Sequence, residues 1–185
     1  MEERLTKYIF DVDGTLTPSR RKIDTKFMDY FERFMIYNDT YLVTGSDQSK
    51  TIEQVGKLIY NLARRVYNCN GNDTYEAFEN TYRSNWCLSK EEVKWLTTKL
   101  SESKFPFRSG KHIEQRPGLT NFSVIGRNCT LAERIMYTKW DEESQERSII
   151  AAEFKKEFPE IDAKVAGETG IDIFPMGKDK SQILK

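Results

Sequence analysis

The sequence predicts an α/β protein: a core with a parallel sheet, and a second α+β module inserted into it. Three observations carry this expectation. Up to Asn70, short apolar runs alternate with amphipathic stretches of helical spacing. After Asn70-Gly71 the pattern changes to aromatic and polar segments, followed by strands and helices in runs. A core-type motif returns at Lys180. Strands alternating with helices build right-handed βαβ units, whereas strands and helices in runs build α+β units.

The elements follow in order. Tyr8–Val12 is an apolar run, read as a buried strand ending in the polar cluster D-V-D-G-T. Asp24 or Thr25 can cap a helix whose stripe is Phe27, Phe31, Phe34 and Met35. Thr40–Val43 is a second strand, and Ser46 or Asp47 can cap a helical stretch carrying Ile52, Val55, Ile59 and Leu62. Arg65–Cys69 is a third strand, closed by the turn pair Asn70-Gly71. Thr74–Trp86 reads as a hairpin, and Ser89–Ser103 as a helix opened by the capping box Ser89-x-x-Glu92. Lys111–Arg116 and Leu119–Gly126 are two strands around Pro117-Gly118. Thr130-x-x-Glu133 opens a helix towards Trp140, and a further helix spans Glu142–Phe158 before Pro159. Lys164–Ala166 and Gly170–Phe174 close the module as strands.

The 185 residues hold 29 Lys and Arg against 29 Asp and Glu, a net charge of zero. That disfavours nucleic acid or an anionic membrane as a partner, since both demand a positive field. No stretch approaches the roughly 20 apolar residues of a membrane span, and the charged N-terminus reads as no signal peptide. Cys69, Cys87 and Cys129 are odd in number and far apart, which fits a reduced, cytoplasmic compartment. His112, the single histidine, is read as packed or solvated, and the three tryptophans as packing residues.

The chemistry concentrates at the first strand end. Asp11 and Asp13 stand at i and i+2, the spacing that projects two side chains to one face of a strand. Open α/β sheets bind ligands beyond the carboxyl ends of their strands. A carboxylate pair there can hold Mg²⁺, which prefers oxygen ligands. One of the two can attack phosphorus and form an aspartyl-phosphate. An Asx turn is the plain alternative. Thr44 ends the second strand in front of a helix start, where phosphate is well held. Lys180, in G-K-D-K-S, can neutralise that phosphate.

With these residues in view, the chain resembles the haloacid dehalogenase superfamily, whose first three motifs look like F-D-V-D-G-T-L-T, Thr44 and Lys180. The longer string D-V-D-G-T-L-T-P-S-R, with Arg20 nine residues after Asp11, is similar to the eukaryotic-type phosphomannomutases. So are the segment R-P-G-L-T-N-F-S-V-I-G-R from Arg116 to Arg127, Arg134 seven residues on, and G-I-D-I-F-P-M-G-K-D-K from Gly170 to Lys180. The resemblance implies a haloacid-dehalogenase-like Rossmannoid core over 1–71 and 179–185, and an inserted α+β cap over 72–178. It implies that Asp11 accepts the phosphoryl group, that Asp13 is the general acid/base, and that Asp11 with the carbonyl of Asp13 binds Mg²⁺. Thr44 and Lys180 are implied to hold the phosphoryl group. Arg116, Arg127 and Arg134, with Arg20 assisting, are implied to grip the distal phosphate, and Asp172 to contact sugar hydroxyls. The implied activity is interconversion of mannose 6-phosphate and mannose 1-phosphate, with a hexose 1,6-bisphosphate as activator and the cap closing over the sugar. A homodimer through the cap is implied as well; the helix 89–103, with Val93, Leu96 and Leu100, could serve its interface as easily as an internal core.

The match has departures. The family has a further strand–helix portion with an acidic motif after Lys180, so the expectation is a core shortened at its C-terminus. Thr44 stands where the mutases often have Gly and rely on the following Ser, here Ser46; Gly170 stands where they usually have Ser. The segment 72–86 does not match the family closely. Two other readings remain: a Mg²⁺-dependent sugar-phosphate phosphatase, in which water discharges Asp11, and a catalytically weak sugar-phosphate-binding protein.

Overall fold

The computed structural model describes residues 6–18 and 21–184. Two compact units divide the chain: Met1–Asn85 with Lys178–Lys185, and Trp86–Gly177.

The first unit is built on a five-stranded sheet. Its strands are β1 (Lys7–Asp11), β2 (Asp39–Val43), β3 (Arg65–Asn68), β4 (Asp73–Glu76) and β5 (Glu79–Arg83), in that spatial order. β1, β2 and β3 are parallel, with Asp11 beside Val43 and Val43 beside Tyr67. The connections are α1 (Thr25–Tyr37) after β1, then α2 (Gln48–Val55) and α3 (Lys57–Leu62) between β2 and β3. Asp24 caps α1 by accepting from the amides of Lys26 and Phe27, and Asp47 caps α2 by accepting from that of Lys50. The stretch expected as one helix is broken at Gly56, whose φ of +84° no continuing helix tolerates. Val12, Leu16, Phe31, Met35, Leu42, Val55, Ile59 and Val66 form the buried centre.

The hairpin expected at the start of the inserted module belongs to the first sheet instead. Asn70-Gly71 does turn the chain, but back onto its own strand: β4 pairs antiparallel with β3, with Val66 opposite Tyr75. Tyr75 is buried in the first core and packs edge-on against Tyr60. The division therefore falls after Asn85, not after Gly71, and on the far side before Lys178.

The second unit has its own sheet, in the order β6 (Ile113–Arg116), β7 (Leu119–Phe122), β9 (Gly170–Pro175), β8 (Ile161–Ala166), every neighbouring pair antiparallel. Its helices are α4 (Lys90–Glu102), α5 (Leu131–Ser144) and α6 (Glu146–Glu157). Both expected capping boxes are present, at Ser89 with Glu92 and at Thr130 with Glu133. Leu96, Phe105, Phe122, Ile125, Tyr137, Phe154, Ile171 and Ile173 make a separate core. Strand alternation divides this sheet: Phe122, Ile171 and Ile173 join the core, while Asn121 and Asp172, one residue out of phase, project to the other face. Leu96 is fully buried in that core, so α4 spends its stripe inside the unit.

Candidate active site

Parallel pairing brings the carboxyl ends of β1, β2 and β3 level, so Asp11 and Thr44 emerge together. Asp11 ends β1, and its Oδ1 accepts from the amide of Val12 and from Lys180 Nζ, each at 2.8 Å. Asp11 Oδ2 accepts from none of the described residues, which leaves one carboxylate oxygen open to an electrophile or a cation.

Lys180 comes from the far end of the chain, and its segment is tied to the turn after β3. Asn72 Nδ2 donates to the carbonyl of Lys178 at 3.2 Å, and Gln182 Nε2 to that of Asn70 at 2.7 Å. In that turn Cys69, Asn70 and Gly71 take φ of 50°, 60° and 91° in succession. Two non-glycine residues in the left-handed region are held there by hydrogen bonds: the amide of Cys69 donates to the carbonyl of Ser46, and that of Asn70 to Thr44. The turn thus links the ends of β2 and β3 to the segment that carries the lysine.

Asp13 lies beyond the strand, in a turn closed by Gly14 N donating to the carbonyl of Thr17. Its Oδ1 accepts from Gln54 Nε2 at 2.8 Å, and its Oδ2 faces Ser46 Oγ at 3.4 Å. Thr44 is completely buried, and its Oγ1 accepts from the amide of Ser46 at 3.1 Å. Gln54 was not singled out from sequence. It sits on α2 with Thr51 and Val55 on the buried face, and also donates to Thr17 Oγ1 at 3.2 Å. A polar pair at i and i+3 on an otherwise apolar helix face was the available signal.

The second unit gathers another constellation. Arg116 Nη2 donates to Glu114 Oε2 at 2.7 Å, and Arg127 Nε lies 3.0 Å from the same oxygen. Arg127 Nη1 donates to Asn121 Oδ1 at 3.2 Å, and Asn121 Nδ2 donates to Asp172 Oδ1 at 2.7 Å. Arg134, on the first turn of α5, pairs with Glu168 at 3.4 Å. Burial pushes the Arg127 pKa down, Glu114 and Asp172 draw it up, and Arg116 and Arg134 add to the depression. The three arginines are therefore close enough to feel one another, with Glu114 and Asp172 among them. Glu114 and Asn121 were not singled out from sequence. Arg20 lies outside the described residues.

His112 has a structural task here: its Nδ1 is 2.9 Å from the carbonyl of Ser123.

The donor set of the first unit suits Mg²⁺ in kind: hard oxygen from Asp11, with Asp13 two residues on. Among the described residues no group of three or more His, Cys, Asp and Glu gathers as a metal cage. Mg²⁺ commonly takes one or two carboxylates and completes its shell with water and substrate phosphate, so the open oxygen of Asp11 fits that habit.

A two-unit α/β chain with Asp at the first strand end, Thr at the second and a late Lys on the Asp defines the class: a haloacid-dehalogenase-like fold with an inserted cap. Solved structures agree. A haloacid dehalogenase-like hydrolase from Bacteroides thetaiotaomicron superposes with a TM-score of 0.61 at 15% identity, over 98% of this chain and 75% of that one. The C-terminal domain of a C. albicans trehalose-6-phosphate phosphatase gives 0.66 at 16% identity, over 100% of this chain and 61% of that one. The sequence relationship is narrower. The family model of the eukaryotic phosphomannomutases matches residues 27–185. The phosphomannomutase of Saccharomyces cerevisiae is 33% identical, covering 100% of this chain and 76% of the relative. That of Drosophila melanogaster is 34% identical, covering 96% and 74%. The chain belongs to the eukaryotic phosphomannomutase family.

Proposed function

We propose that this chain carries out phosphomannomutase-like phosphoryl transfer, interconverting mannose 6-phosphate and mannose 1-phosphate through a hexose bisphosphate. The observation that carries the reading is the 2.8 Å contact between Asp11 and Lys180 at the first strand end, in a chain of this family. The open oxygen of Asp11 attacks phosphorus in line and forms the aspartyl-phosphate. Lys180 and Thr44, with the amides at the start of α2, hold the phosphoryl oxygens. Asp13 protonates the departing sugar oxygen and later takes the proton of the accepting hydroxyl; Gln54 and Ser46 fix its carboxyl for that task. Asp11 and the Asp13 carbonyl would hold Mg²⁺, which supplies charge neutralisation at the transferring phosphoryl group. Arg116, Arg127 and Arg134 bind the phosphate that is not reacting, and Asp172 reads a sugar hydroxyl. Such a mutase must hold a phosphate on either end of one sugar, which explains why the chain carries a guanidinium cluster besides the Asp11 centre.

A homodimer through the second unit completes the reading. Its support is the exposed apolar set Leu131, Ile135 and Met136 on α5, since α4 offers only Val93 at the surface. Sedimentation at micromolar concentration tests it; a monomer counts against it.

The decisive assay incubates the protein with mannose 1-phosphate, a trace of hexose bisphosphate and Mg²⁺. Mannose 6-phosphate is the expected product. Free phosphate alone would instead mark a phosphatase, and binding without turnover a sugar-phosphate-binding protein. Asp11→Asn should abolish transfer with the circular dichroism spectrum unchanged, because an amide is no nucleophile; normal turnover in that variant would sink the assignment.

A further inference from the structure

The guanidinium cluster contains a carboxylate, that of Glu114. Glu114 Oε2 lies between Arg116 Nη2 at 2.7 Å and Arg127 Nε at 3.0 Å. Both guanidiniums reach that one oxygen, and its place is fixed because the hairpin register sets Glu114 directly across from Asn121. Asn121 in turn stands opposite Asp172 on β9. Glu114, Asn121 and Asp172 thus run in one row across three strands. The row touches Arg127 twice, through Glu114 at Nε and through Asn121 at Nη1. An arginine side chain has four rotatable bonds, and a guanidinium tied at two of its nitrogens has little freedom left.

We propose that Glu114 is a positioning residue: its carboxylate sets the Arg116 and Arg127 guanidiniums side by side so that both meet the non-reacting phosphate of a hexose phosphate. This rests on the mutase reading and concerns the same arginines. Glu114 does not itself touch substrate. Its part is to settle the arginines before the ligand arrives, so that less freedom is lost on binding.

The test is steady-state kinetics of the full chain with Mg²⁺, using mannose 1-phosphate and, separately, acetyl phosphate, which is too small to need the arginines. Glu114→Gln keeps an acceptor at the same reach and should leave KM for mannose 1-phosphate within about threefold of the parent. Glu114→Ala should raise that KM about tenfold, with kcat changed much less and acetyl phosphate hydrolysis unaltered. Glu114→Asp keeps the charge but withdraws it by one methylene, and should also raise KM several-fold. If the alanine variant folds poorly, the contrast between Gln and Asp carries the decision alone. A normal Asp variant beside an impaired Gln variant overturns the proposal, because charge and not placement would then matter. Equal losses with both substrates overturn it too, since Glu114 would be supporting the fold. Arg127→Ala is run alongside. If it raises KM and Glu114→Ala does not, only the Glu114 proposal fails; if Arg127→Ala changes nothing, the mutase reading itself fails.

Discussion

Arg127 is the residue on which mutase and phosphatase chemistry part. Its side chain is 21% exposed and stands between Glu114 and Asn121. A charge-assisted contact to a phosphate contributes about 1.5–3 kcal/mol, so Arg127→Ala should weaken hexose monophosphate binding by roughly one to two decades. Acetyl phosphate turnover, which needs only Asp11, Thr44 and Lys180, should stay within about twofold; parallel loss with both substrates would show that Arg127 supports the fold. At this scale the sequence was legible where chemistry is local. Asp11, Thr44 and Lys180 could be read because each ends an apolar strand or lies in a short motif. Gln54 could not be read as Asp13's partner, because the two are joined by a hydrogen bond across 41 positions. Glu114 was within reach: a turn at Pro117-Gly118 already pairs position 114 with 121, and strand alternation puts Glu114 and Arg116 on one face.

Among the elements, α4 shows how a stripe read from sequence leaves its destination open. Val93, Leu96 and Leu100 suit an interface or a core equally, and periodicity does not distinguish them. In the fold Leu96 is fully buried among Phe105, Phe122, Tyr137 and Phe154, Leu100 packs against the same cluster, and only Val93 is exposed. Leu96→Ala should therefore destabilise the second unit by about 2–5 kcal/mol, as removal of a core leucine does. Chemical denaturation would show it as a lower midpoint than the parent's at the same protein concentration, with the sedimentation of the folded variant unchanged. A change of oligomeric state without loss of stability would place Leu96 in an interface. The hairpin β4–β5 makes the complementary point. Its existence was visible in the aromatic and polar alternation, but its allegiance was not. Which sheet a hairpin joins depends on whether its turn returns to the preceding strand, and three successive left-handed residues at 69–71 decide that here. The sequence marks only the Asn-Gly pair.

For the whole molecule, the topology makes the two units unequal in how they can fold. The first is assembled from two segments of chain, since Lys180 is tied to Asp11, Gln182 to Asn70 and Lys178 to Asn72, pairs far apart in sequence. Closing so long a loop delays those contacts. The second unit is one uninterrupted segment, Trp86–Gly177, with its own four-stranded sheet, its own buried cluster and two capped helices. It contains its own Asp141–Arg147 buried ion pair at 2.8 Å, with Arg147 also donating to the carbonyl of Gly167. Among the described residues, the members of that cluster all lie within 86–177. A fragment of residues 86–177 should therefore fold alone, melting in a single cooperative transition with dispersed amide resonances. A non-cooperative melt and collapsed resonances would show that its core depends on the first unit. The same fragment separates the two chemistries: it carries Arg116, Arg127, Arg134 and Glu114 but neither Asp11 nor Lys180. It should bind mannose 1-phosphate weakly in a titration followed by amide shifts at Asn121 and Arg127, and release no phosphate from acetyl phosphate. Shifts confined to other residues would move phosphate recognition away from the arginine row to another part of the second unit.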